Sequence, residues 1–191
     1  MARRPILGRL PARFRRSDSG LAAIETALFA PLLALLLLGG YDLARYVSIR
    51  SSVDKVGFSV ADVTSQYREL TDTAMRQVFM VTAASMPTYT SGTNGVTVLT
   101  SIYLDRTTPK VKWQCYSTTG TNWSSKVGTS GGTAAVNAAL LADTNDNLMV
   151  AEVFYQFKPL LSTFFKSSFT IYTSSIYRPR LGTLTTKPDQ C

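Results

Sequence analysis

The sequence predicts an α+β protein: a long N-terminal transmembrane α-helix, then a small head built on an antiparallel sheet of about four strands. Three observations predict it. An almost unbroken apolar run covers residues 21–41. Apolar side chains recur at helical spacing just beyond it. From Thr88 onward the composition turns to Thr, Ser, Gly, Val and aromatic residues in short strand-like runs. With 191 residues, 45% of them apolar, the chain has room for one domain besides a membrane segment.

Residues 1–20 form a basic leader. Arg3, Arg4, Arg9, Arg13, Arg15 and Arg16 are opposed only by Asp18, so most of the formal charge of +8 sits before Gly20. Charge gathered there marks the cytoplasmic flank of a membrane segment, and no nucleic-acid partner is expected. A cleaved secretory signal would place small residues at its cut, but Leu38-Gly39-Gly40 puts a large residue at the first of those positions. A twin-arginine signal fits poorly, because Ser17-Asp18-Ser19 follows Arg15-Arg16 where an apolar stretch belongs. An uncleaved signal anchor stays open, since residues 21–40 span ~30 Å as helix, the thickness of the hydrocarbon core.

Glu25 interrupts the apolar run near its start. A carboxylate in a spanning helix costs roughly 2.5–3.5 kcal/mol at the bilayer centre and less near an end. It therefore either snorkels to the cytoplasmic headgroups or has a partner. Pro31 cannot donate its backbone hydrogen bond, which predicts a kink that shapes helix packing. Gly39-Gly40 marks the membrane exit, a flexible joint or a close helix contact.

Residues 42–86 read as an amphipathic helical region. Val53, Val56, Val60, Val63, Tyr67 and Leu70 alternate steps of three and four, one stripe of a helix. The stripe is expected to pack on its own domain, with a partner-helix seam as the alternative. A helix over residues 21–70 would measure about 75 Å. Thr71-Asp72-Thr73 then offers a cap, and residues 74–85 a second helix ending before Pro87.

The head is assigned to residues 87–191, with strands at 96–104, 110–116, 148–157 and 169–177. Asp105-Arg106-Thr107-Thr108-Pro109 reads as a hairpin loop. Residues 117–133 are rich in Ser, Thr and Gly, and an alanine-rich stretch at 133–142 suits one or two helical turns. A connection this long also allows an exposed adhesive or docking surface. Trp113 is expected in the core, while Trp123 and Tyr116 are open between packing and a sticky surface.

The segment Gly20-Leu21-Ala22-Ala23-Ile24-Glu25 resembles the processing site of type IV prepilins and pseudopilins. Its continuation, Glu25-Thr26-Ala27-Leu28-Phe29-Ala30-Pro31-Leu32-Leu33 and then Gly39-Gly40-Tyr41-Asp42-Leu43-Ala44-Arg45, resembles the TadE-type branch of the tight-adherence (Tad) pilus system. A weaker likeness involves Tyr155-Gln156-Phe157-Lys158-Pro159-Leu160 and Arg178-Pro179-Arg180. The resemblance implies a minor pilin or pseudopilin with a pilin-like helical spine. It implies that a prepilin peptidase cuts between Gly20 and Leu21, removing the leader. Glu25 then pairs with the new α-amine of Leu21, in the same or a neighbouring subunit. The implied partners are that peptidase, other pilins and pseudopilins, the inner-membrane assembly platform and membrane lipid. The implied location is the bacterial inner membrane, N-terminus cytoplasmic and C-terminal domain periplasmic, with incorporation into the pilus left open. The alternative is a periplasmic binding or adhesion module on an uncleaved anchor.

In a periplasmic head, Cys115 and Cys191, the two cysteines of the chain, are expected to form a disulfide. Asp143-Thr144-Asn145-Asp146-Asn147 begins like a calcium loop, but Leu148 occupies the glycine position and Glu152 falls short of the closing ligand. A polar turn is expected there. The sequence contains no histidine, no phosphate-binding or dinucleotide motif, and only scattered acids. No catalytic residue, metal site or cofactor is expected, and the protein is read as structural and not as an enzyme.

Overall fold

The computed structural model describes residues 19–160 and 168–191. The leader arginines, including the Arg15-Arg16 pair, lie outside the described residues. Helix α1 spans Ser19–Ser65 and runs on through Pro31 and Gly39-Gly40. The chain divides within it, into a unit ending at Leu43 and a head of Ala44–Cys191.

In the head, the valine stripe of α1 packs on its own domain. Val53, Val56 and Val60 are wholly buried, in one cluster with Leu99, Met149, Val153 and Ile171 of the sheet. The helix ends at Ser65, sooner than the stripe suggests. Two tertiary interactions hold that end: the Arg180 N–H donates to the Ser65 carbonyl at 3.0 Å, and the Arg180 guanidinium meets Asp62 at 2.9 Å. Tyr67 and Leu70 still reach the core, but from a connector. Helix α2, Asp72–Ser85, is capped by Thr71, whose hydroxyl accepts from the Ala74 N–H at 3.2 Å.

Strands β1 (Gly95–Asp105), β2 (Thr108–Tyr116), β3 (Asn147–Phe157) and β4 (Phe169–Tyr177) form one antiparallel sheet in the order β2-β1-β3-β4. The fold is therefore α+β with four strands. The β1–β2 loop is tighter than the five residues expected. Asp105 pairs with Thr108, leaving Arg106 and Thr107 as the turn, with Arg106 in the left-handed region at φ 59°. Pro109 is compatible with a strand because β2 is an edge, and its carbonyl accepts from the Ala134 N–H at 2.8 Å.

Both faces of the sheet are covered, which explains why the central strands β1 and β3 are buried almost throughout. Met149, Ala151, Val153, Tyr155 and Phe157 of β3 face the helices, while Leu148, Val150 and Phe154 lie in clusters on the other side. The second cover is the Ser/Thr/Gly-rich connection itself. Trp123, Val127, Ala134 and Leu141 from that segment pack on Val96, Val98, Ile102 and Val150. Its alanine-rich part supplies only a short 3-10 helix, Ala138–Leu140. A register shift opposite Ser101 and Ile102 leaves Lys112 unpaired, so Val111 and Trp113 turn to opposite faces. Trp113 is thus core, as expected.

The C-terminal tail closes the helix side. Leu184 is buried, and its carbonyl accepts from the Ser101 hydroxyl at 2.9 Å and the Trp113 indole N–H at 3.1 Å. Asn147, at the end of the polar turn, accepts from the Leu184 N–H at 3.1 Å and donates to the Ile102 carbonyl at 3.0 Å. The tail ends in a disulfide between Cys191 and Cys115 of β2, with Cα atoms 4.8 Å apart. Across its separation of 76 residues, closure stabilises by roughly 4 kcal/mol in the chain-entropy model. Cys191→Ser is expected to lower the melting temperature of the non-reduced protein and to leave the reduced protein unchanged. Equal melting of variant and wild type in the absence of reductant would count against a stabilising bond.

The candidate assembly and membrane surface

The first part of α1 is bare all round. Leu35, Leu36, Leu37 and Leu38 follow one another at 100° steps and so sample almost the full circumference of the helix, yet all four are exposed, Leu37 by 74%. A helix apolar on every side suits lipid or other helices of its kind and not water. It is long and apolar enough to cross a membrane. The Thr26 hydroxyl is satisfied within the helix, donating to the Ala22 carbonyl at 2.8 Å.

Gly20 and Leu21 lie at the start of α1 and are exposed, as is Glu25 one turn on. A Cβ added at Gly20 would meet nothing within 4 Å. The spacing of Leu21 and Glu25 puts them on one side of the helix, within the first turns, where the macrodipole favours an anion. Pro31 sits further along the same bare stretch.

The later part of α1 is clamped to the sheet at both ends of its seat. Tyr46 packs against Phe157 and Phe169, with ring centroids 5.8 and 5.5 Å away, and the Arg45 guanidinium lies 5.4 Å from the Phe157 ring centroid. Arg50 donates to the Tyr172 carbonyl at 2.6 Å. At the far end stand Asp62 and Ser65, held by Arg180. Between them the helix presses close to β4: a Cβ on Gly57 would come within 3.0 Å of the Thr173 methyl. Phe157 and Arg180 thus grip one helix from opposite ends. Spacing in the sequence held no sign of this.

The chain thus has an N-terminal helical stretch long and apolar enough to cross a membrane, and an α+β head. Residues 20–61 match the family described as TadE-like protein, so that segment is similar to the TadE-like proteins associated with the Tad pilus. The match covers the bare stretch and most of the helix seat and stops before the sheet. No curated protein and no solved structure matches the chain.

Sequence reasoning passed over Glu152 except as a failed calcium ligand. Its carboxylate is fully buried on the loop-covered face of β3. It accepts from the Ser125 hydroxyl, from the Lys126 N–H at 2.9 Å and from the Tyr172 hydroxyl at 3.0 Å. The Lys126 ammonium stands 4.0 Å from the centroid of the Tyr172 ring. Glu152 therefore pins the long connection to the sheet. The signal available beforehand was an acid in the middle of an otherwise apolar strand. Glu152→Ala strands three donors and is expected to destabilise by roughly 3 kcal/mol, read by denaturant unfolding, with Glu152→Gln closer to wild type. A loss below about 1 kcal/mol would contradict the anchoring role.

Burial, with the neighbouring Glu152 charge and hydrogen bond, pushes the Tyr172 phenol up to about 12, against an opposing hydrogen bond from Ser174. Burial also raises Tyr177. The fold thus favours protonated phenols. The contribution of Tyr172 is fully present below the ordinary value of 10.0 and is lost as pH rises through about 12. Melting temperature is expected to fall over that interval, and less steeply in Tyr172→Phe.

Among the described residues no group of three or more Cys, Asp or Glu side chains is placed to hold a metal ion. The Asp143 to Asn147 segment is a turn closed on itself, with Asp143 accepting from the Asn145 N–H at 2.7 Å and Asp146 paired to Arg178 at 3.1 Å.

Proposed function

We propose that this chain is a minor pilin or pseudopilin that takes part in assembling a Tad-type type IV pilus. A prepilin peptidase cuts it after Gly20, and the chain then associates with other pilins and pseudopilins through its apolar helix. Before the cut, the leader arginines hold the N-terminus in the cytoplasm and the head lies in the periplasm, anchored in the inner membrane beside the assembly platform. The observation that carries this reading is the helix that is apolar on every side, begins beside the proposed cut and carries an exposed acid one turn in.

Cleavage changes the electrostatics of that acid. A free amine on Leu21 supplies a cation for Glu25, in the same subunit or its neighbour. Removing six arginines also frees the helix to leave the bilayer for a filament. The role is structural, in keeping with the family, and the buried carboxylate Glu152 is engaged in holding a loop. Sequencing the mature N-terminus from isolated membranes tests the reading: Leu21 is expected first. A retained Met1 would replace it with a binding or adhesion module on an uncleaved anchor.

A further inference from the structure

Beside the Ser/Thr/Gly-rich connection lie two adjoining clefts, of about 390 and 260 Å³, that share Gly120, Thr121 and Trp123, the larger also taking in Gln190 and Cys191 of the tail. The larger lies at the lower end of the ~300–1,000 Å³ range of small-ligand sites. Not one side chain lining either cleft is charged, in a chain of formal charge +8. The walls are instead aromatic rings, hydroxyls and carboxamides, among them Tyr116, Trp123, Thr119, Asn122 and Gln190.

The frame of the larger cleft is held in place from several sides. Trp123 is half-buried against Val96, Val98 and Phe154, and its backbone is tied at both ends to the Thr121 hydroxyl, at 2.9 and 3.2 Å. The Tyr116 hydroxyl accepts from the Ser125 N–H at 3.2 Å. Gln190 is held by Arg76 at 2.8 Å and Asp72 at 2.9 Å, next to the disulfide that fixes the tail. Such a frame loses little conformational freedom when a ligand arrives.

The lining chemistry narrows the ligand. No charged side chain lines either cleft, the nearby Arg76 guanidinium being engaged with Gln190 and Thr73, and an apolar ligand would leave the hydroxyls and amides without partners. A neutral sugar answers both halves of the wall, its C–H face against an aromatic ring and its hydroxyls against Thr, Asn and Gln. We propose that these clefts bind a neutral oligosaccharide, giving the head a glycan-recognition site separate from the helix.

Calorimetric titration of the full chain in phospholipid nanodiscs tests this, since a glycoside detergent would compete. The probes are maltotriose, cellotriose and triacetylchitotriose, with sialyllactose as the anionic control. At least one neutral trisaccharide is expected to bind saturably, and Trp123→Ala to weaken it at least tenfold. Thr119→Trp, a change at an exposed position on the cleft wall, is expected to abolish binding while preserving the melting temperature, and it serves where Trp123→Ala does not fold. Absence of saturable binding by all three, binding of sialyllactose alone, or undiminished binding in Thr119→Trp would overturn the proposal.

Discussion

Gly20→Phe is expected to leave the protein as a full-length precursor in the membrane, with Met1 retained and no detectable species beginning at Leu21. The reason is local. A cut beside Gly20 needs the backbone to enter a protease site closely, which a residue without a side chain permits and a benzyl group does not. The chain itself tolerates the change, because a Cβ at Gly20 meets nothing within 4 Å and the neighbouring helix is exposed. Insertion and head folding are therefore expected to be normal, isolating the effect on cleavage. Membrane fractionation with N-terminal sequencing reads both. Wild-type processing in this variant would sink the proposed cut site.

Glu25→Ala is expected to separate insertion from assembly. Removing an acid from an apolar helix lowers its transfer cost, by less than the roughly 2.5–3.5 kcal/mol found at the bilayer centre, so membrane yield should hold or rise. Assembly is expected to fail, because the amine that the proposed cut creates at Leu21 would lose its counter-charge in a medium where unpaired charges are expensive. Pilus yield and co-purification of other pilins measure it. Glu25→Asp keeps the charge on a shorter arm and is expected to be intermediate. Full piliation with alanine would remove the pairing and leave snorkelling as the reason for the acid.

Parts of the head were legible because they obey local rules. The four strands were placed within a few residues by their Val, Thr and aromatic content, and Thr71 announced the start of α2 through its capping hydroxyl. The contacts at the end of α1 were not legible, because Arg180 reaches it from more than a hundred residues away. Nor was the place of the Ser/Thr/Gly-rich connection. Its few apolar residues, Val127, Ala134 and Leu141, carry no periodicity, and only a sheet already formed gives them a surface to cover.

For the candidate site the division follows the same line. A helix long and apolar enough to cross a membrane, the basic residues before it and a lone acid near its start are properties of consecutive residues, so the sequence by itself determined them. The tertiary structure decided that Phe157 and Arg180 clamp one helix, that Glu152 anchors a loop, and that Trp123 and Gln190 share a cleft. Those relations join residues far apart in the chain. They come into being only when burial of the two sheet faces brings the segments together, and no local pattern encodes which of them will meet.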